Sequence, residues 1–121
     1  MKANEIKHFL QCAYRDVIEN MDDWENHLPH YFSSDYVQYI DGDVHNLSES
    51  IEHIRQVKKS IASVHFEFAH LVAEENKIFS IHYAYVTKKD GSRFKLKGIA
   101  LFEMRDGKFI SCDELTRELP W

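Results

Sequence analysis

From Ile6 onward the apolar residues Ile6, Phe9, Leu10, Ala13, Tyr14, Val17, Ile18 and Met21 recur every three or four positions, the spacing that lines one face of a helix. A shorter second helix is predicted from Asp23 to about Phe32. Asp22 or Asp23 can cap its start, Trp24, Leu28, Tyr31 and Phe32 anchor it, and Pro29 inside it makes it short or broken. The β-branched and aromatic run Asp35–Ile40 then reads as a strand that stops at the turn composition Asp41-Gly42-Asp43. Asn46 with Glu49 three residues on is a capping box opening a third helix, whose stripe is Leu47, Ile51, Ile54, Val57 and Ile61 and whose end falls near Ser63.

Everything beyond reads as strands joined by hairpins: Val64–Ala73, Ile78–Thr87, Arg93–Met104 and Phe109 to about Thr116, with turns at Glu75-Asn76, Asp90-Gly91 and Asp106-Gly107. Such hairpins give an antiparallel sheet. Three helices cannot cover the faces of so many long strands unless the sheet curls over them, which leaves a tapered interior and hence a pocket. The strands at Ile78–Thr87 and Phe94–Met104 are apolar at both parities, and Phe79, Ile81, Tyr83 and Tyr85 form one stripe of the outer face. A contiguous apolar stripe of that kind marks an interface, so a homodimer packed through the outer sheet face is expected.

A length of 121 residues suits one core, and therefore a single domain spanning 1–121. The net charge of −5, with Lys and Arg scattered, offers phosphates no basic stripe, which argues against nucleic acid. No apolar run approaches a membrane span, and Met1-Lys2-Ala3-Asn4-Glu5 lacks a signal pattern, so a cytoplasmic protein with no membrane partner is expected. Cys12 and Cys112 are expected to be reduced, small core residues. The eight histidines raise the question of metal, but His27 and His30 flank Pro29 while His65 and His70 differ in strand parity, so no metal site is expected.

The order helix, helix, strand, helix, four strands resembles the nuclear transport factor 2-like superfamily and its SnoaL-like branch over nearly the whole chain. The carriers are His30-Tyr31-Phe32-Ser33-Ser34-Asp35, Val72-Ala73-Glu74-Glu75-Asn76-Lys77-Ile78 and Phe102-Glu103-Met104-Arg105-Asp106-Gly107-Lys108-Phe109. The resemblance implies an α+β fold: three N-terminal helices packed in the concave face of a curved mixed, mainly antiparallel sheet, a cystatin-like cone with a central pocket. It also implies ketosteroid isomerase, limonene epoxide hydrolase, polyketide cyclase or dehydratase relatives alongside non-catalytic binding modules, with no cofactor. Fold alone does not select among these.

Carried over position by position, the resemblance puts Glu114 where the hydrolases and cyclases hold an inward acid, with Ile110, Cys112 and Thr116 on the same face. It puts Ala100 where the isomerases hold a pocket acid, which argues against steroid isomerase chemistry. Inward parity in the first strand falls on Tyr36, Gln38 and Ile40, and the isomerase base matches Ile40 or, after a one-residue slip, Asp41, otherwise a turn residue. In the strand Ile78–Thr87 it falls on Ile78, Ser80, His82, Ala84 and Val86. Tyr14 lies near the isomerase's hydrogen-bonding tyrosine, and His53 lies at the cavity mouth, in solvent or at a dimer edge.

An inward, desolvated Glu114 should hold its proton more tightly than an exposed carboxylate, and a neighbouring His82 could share that proton. Two functions follow. One is a small-molecule enzyme with Glu114 and His82 catalytic and Tyr14, Tyr36, Gln38, Ile40, His53, Ala100 and Cys112 lining the site of a mostly apolar organic ligand. The other is a ligand-binding or dimerisation module using the same cavity without chemistry.

Overall fold

A computed structural model describes all 121 residues. The first helix, α1 (Ala3–Ala13), does not run on to Met21 as a regular helix: it widens into a π-helical turn, Tyr14–Glu19, whose signature is the Asn20 N–H donating to the Arg15 carbonyl five residues back at 3.1 Å. The helix α2 (Trp24–Tyr31) carries Pro29 and is short, as its composition predicts. Asp23 stands at its start without capping it. The Asp23 carboxylate accepts instead from the Asn20 side chain at 2.7 Å.

Strand β1 (Phe32–Ile40) turns at Asp41 and Gly42, both at positive φ, into a strand that the sequence pattern did not disclose, β2 (Asp43–Asn46). Four residues pair there, Val37 with Asn46 through Ile40 with Asp43. The Asn46–Glu49 capping box is formed in both directions, at 2.9 and 3.0 Å, and opens α3 (Leu47–Ser60). That helix ends three residues earlier than its stripe suggests. Ile61 is β-branched and buried, and it pairs with Lys88 as the first residue of β3 (Ile61–Glu74).

The hairpins β3–β4 (Lys77–Lys88), β4–β5 (Arg93–Arg105) and β5–β6 (Lys108–Leu119) are antiparallel. Asp106 and Gly107 both sit at positive φ, the geometry of the two-residue hairpin turn that Asp-Gly favours. β1 enters beside β6 in parallel, the one parallel pair, and the open curved sheet runs β2-β1-β6-β5-β4-β3.

The helices cover one face. Fourteen buried residues, among them Leu10, Val17, Trp24, Leu28, Ile78, Phe102 and Phe109, make the main core between α1, α2 and the inner sheet face. A smaller cluster of Ile61, Ala84 and Val86 lies separately. Strand alternation in β4 is as read from the sequence: Ile78, Ser80, His82, Ala84 and Val86 are buried. In β3 the phenylalanines Phe66 and Phe68 turn inward, and His65 and Glu67 are exposed.

Ile110 is a correction. A β-bulge sets Glu103 opposite Ser111 but Met104 opposite Phe109, so Ile110 is the extra residue and Phe109, wholly buried, takes the inward place. Phe109→Ala should therefore cost about 3–5 kcal/mol of stability by urea denaturation, whereas Ile110→Ala should cost well under half as much. Equal losses would place the bulge elsewhere.

Candidate active site

Between α3, the π-helical turn and the inner face of the sheet lies a cavity of about 420 Å³ lined by 31 residues, 20 of them hydrophobic. Phe32, Ile40, Ile51, Ile54, Phe66 and Phe94 belong to its apolar wall. Two polar side chains, backed by a third, meet at its wall. His82 on β4 and Glu114 on β6 are 3% and 8% exposed, and the His82 Nε2 lies 2.9 Å from the Glu114 Oε2. On the other side of the imidazole the wholly buried Ser80 puts its hydroxyl 2.6 Å from Nδ1.

β4 and β6 are not neighbours; β5 runs between them. His82 stands opposite Gly98 of β5, and Gly98 stands opposite Thr116 of β6. The imidazole and carboxylate meet directly over Gly98, where a Cβ would fall 2.3 Å from His82 Nε2 and 2.7 Å from Glu114 Oε2. A side chain of any kind at position 98 would occupy the bridge, so this glycine is required for close approach rather than for its backbone angles.

The donor pattern admits two states. With neutral His82, Nε2–H donates to Glu114 and the Ser80 hydroxyl donates to Nδ1. With His82 protonated, both ring N–H groups donate and the Ser80 hydroxyl turns to accept. Ser80 thus lets the imidazole gain or lose a proton without leaving a buried group unpaired.

Tyr14, the first residue of the π-helical turn, packs edge-on against Phe66 and Phe68, with ring centroids 4.7 and 5.3 Å away, and lies 5.8 Å from the His82 ring. Burial, reinforced by the nearby Glu114 charge, raises the Tyr14 phenol well above its ordinary pKa and keeps it a hydrogen-bond donor. Its hydroxyl has no protein partner, in contrast to Tyr36, whose hydroxyl donates to the Gln38 side-chain oxygen. π-Helical turns recur where a side chain must be displaced from regular helical register, and this one aims Tyr14 at the dyad.

The other residues proposed from sequence divide. Tyr36, Gln38 and Ile40 line the cavity on β1. His53 is exposed on α3 and reaches only the rim, stacked against His45 with centroids 6.2 Å apart and planes at 14°. Ala100 and Cys112 are corrections: each is 1% exposed and belongs to the packed core, outside the cavity lining. Both are small residues on the inward parity, and the larger side chains around them close over their positions. Burial, with Glu114 adding to it, raises the Cys112 thiol well above its usual pKa and keeps it unreactive. Asp41 lies outside the cavity lining; its carboxylate accepts from the Thr116 amide at 2.7 Å and from the Thr116 hydroxyl at 2.5 Å, tying the β1–β2 turn to β6.

Three contributors escaped the sequence reading. Strand parity turns Ser80 inward but gives it no role. Gly98 carried a signal, a lone glycine inside a strand pattern. Lys58, hidden in the polar tail of the α3 stripe, is 9% exposed and also lines the cavity.

The chain matches the SnoaL-like domain family over residues 13–112 and belongs to it. An uncharacterised protein of Schizosaccharomyces pombe is 24% identical over 114 residues, covering 94% of this chain and 87% of its own. Among solved structures, AclR from Streptomyces galilaeus, a candidate hydroxylase, superposes with a TM-score of 0.82 at 16% identity over 96% of this chain and 91% of its own. The epoxide hydrolase/cyclase-like enzyme SalBIII of salinomycin pyran ring formation superposes with a TM-score of 0.77 at 19% identity, covering 98% and 97%. These likenesses establish the fold. No helix is long and apolar enough to cross a membrane.

Gly98→Ala tests the bridge. The His82 and Glu114 side chains should be driven apart, with the imidazole nitrogen resonances of His82 shifting to those of an unpaired ring and a loss of more than about 2 kcal/mol in stability, since a buried donor or acceptor is left unpaired. An unchanged His82 spectrum would mean that the side chains do not meet over Gly98.

Proposed function

We propose that this chain is a cofactor-independent acid–base enzyme that moves a proton on a small, mostly apolar substrate, in the isomerase, cyclase, hydrolase or dehydratase class. The observation that carries this reading is the buried Ser80–His82–Glu114 relay opening on an apolar cavity beside the unpaired Tyr14 hydroxyl. A cavity that only held an apolar ligand would gain nothing from burying a carboxylate and an imidazole, each costly to desolvate.

In this reading Glu114 is the base. Its Oε2 is held by His82, which leaves the other carboxylate oxygen to take a proton from a substrate C–H, or from the O–H of an attacking water or hydroxyl. The proton then sits on that free oxygen of Glu114, while His82 Nε2–H keeps its hydrogen bond to Oε2 and Ser80 keeps donating to Nδ1, until it is returned to the substrate. The Tyr14 hydroxyl donates to the substrate oxygen on which negative charge develops, and its raised pKa keeps that proton in place. Gln38, fixed by the Tyr36 hydroxyl, and the Ile40 side chain set the substrate's position along β1. The SalBIII structure, described as epoxide hydrolase/cyclase-like, supports the class without naming the substrate.

Deuterium exchange at the α-carbon of apolar ketones in D2O, followed by NMR, reads this proton transfer without knowledge of the natural substrate. Glu114→Gln, nearly isosteric, should lower the exchange rate about 10²–10⁴-fold while leaving ketone binding in place. Exchange at the wild-type rate would refute the role of Glu114, and a wild-type protein that binds ketones without exchanging them would favour a binding module.

We also propose that the face of the sheet away from the helices joins two copies of the chain. Phe79 pairs across β4–β5 with Leu101 and Ile81 with Ile99, and Ile99 pairs across β5–β6 with Leu115, so one continuous apolar stripe crosses three strands. Phe79, Ile99, Leu101 and Leu115 are 39%, 41%, 38% and 66% exposed. Ile81→Glu should give a monomer by light scattering with its circular dichroism unchanged; a dimer that persists would exclude this face.

A further inference from the structure

One charged group in the cavity has no part in the proton relay. Lys58 on α3 is buried, and its ammonium donates to the carbonyls of Ile18 at 2.9 Å and Asn20 at 2.5 Å, at the end of the π-helical turn. Its Nζ also lies 4.9 Å from the centre of the Trp24 ring. An ammonium has three N–H donors, and these carbonyls take two. No carboxylate pairs with it: burial alone pushes its pKa down to about 8, and Glu114 is not among the groups that act on it. A buried cation without a counter-charge is an expensive arrangement unless something supplies that charge.

The rest of the lining has the same bias. In a chain of net charge −5, the cavity is lined by two lysines, Lys58 and Lys88, against Glu114, its single carboxylate, which is already paired with His82. Lys88 lies exposed at the opening with its Nζ 5.3 Å from the Phe94 ring. The buried Ser50 hydroxyl, also in the lining, has no hydrogen-bond partner.

We infer that the cavity takes an amphipathic carboxylic acid, its carboxylate pairing with the free N–H of Lys58 and its apolar body lying along the hydrophobic wall toward Tyr14 and Glu114. One remaining N–H matches one carboxylate oxygen, and a singly charged headgroup loses less hydration among these apolar side chains than a phosphate dianion would. The inference rests on the cavity being a small-molecule site and adds the class of molecule. It also separates the ends of that molecule: the anion is held at Lys58, and the reacting atoms are held at the dyad.

The test uses a series of ω-phenylalkanoates of increasing chain length, each compared with its primary amide, by calorimetry and by NMR on the wild-type protein. The best-fitting carboxylate should bind about tenfold or more tightly than its amide, as expected for a hydrogen bond to a charged group. The methylene next to its carboxylate should show contacts to the Lys58 ε-protons. Lys58→Met should bind both members of the pair equally. Lys58→Gln, which can still donate to the Ile18 and Asn20 carbonyls, serves the same purpose if the methionine variant does not fold. Equal affinities in the wild type, no binding of any carboxylate, or a preference that survives both substitutions would overturn the inference. Equal affinities would leave the proton-transfer reading intact, since that reading stands or falls on ketone exchange in Glu114→Gln.

Discussion

A carboxylate and an imidazole can lie side by side among phenylalanines only if they meet, and here they meet across a strand that belongs to neither. The pairing of His82 with Glu114 sets conditions on the whole middle of the sheet. β4, β5 and β6 must keep the register in which His82, Gly98 and Thr116 stand in one row, because a slip of one residue would turn both charged groups to the opposite face. It also requires small residues beneath the bridge. Gly98 and, opposite Glu114, Ala100 meet that requirement.

Most of the architecture could be read from periodicity, since it is carried by local patterns. The capping box at Asn46 and Glu49, the Asp-Gly turn at Asp106-Gly107 and the alternation along β4 are each decided within a few residues, and each forms as expected. What could not be read depends on residues far apart in the chain or on small irregularities. The strand Asp43–Asn46 is too short and polar to announce itself, and it exists because β1 offers it an edge. The bulge at Ile110 exchanges inward and outward places by inserting one residue, which no alternation pattern can show.

The candidate site was legible to the extent that strand parity decides it. Parity turns His82 inward and the family resemblance turns Glu114 inward, but only the two intervening pairings of β5 bring them within 2.9 Å. The resemblance puts Ala100 at a pocket position and alternation from Glu114 puts Cys112 on the inward face, yet inward at that end of the sheet means core and not cavity. Lys58 was missed for a related reason. A lysine in the last turn of a helix normally reads as a solvated partner of the helix dipole, and here the main-chain carbonyls of another helical segment claim it.

The parallel pairing of β1 with β6 joins residues near the start of the chain to residues near its end, with Ile40 beside Glu114. Contacts so distant in sequence form late, after the cost of closing a long loop has been met. The hairpins from β3 to β6 join neighbouring segments, so His82, Gly98 and Glu114 are brought together by short-range pairings alone. The parallel seating of β1 against β6 then adds Gln38 and Ile40 to the wall of the cavity around that dyad. The chemistry of the site is thus held by local pairings, and its enclosure by the one pairing that spans the chain.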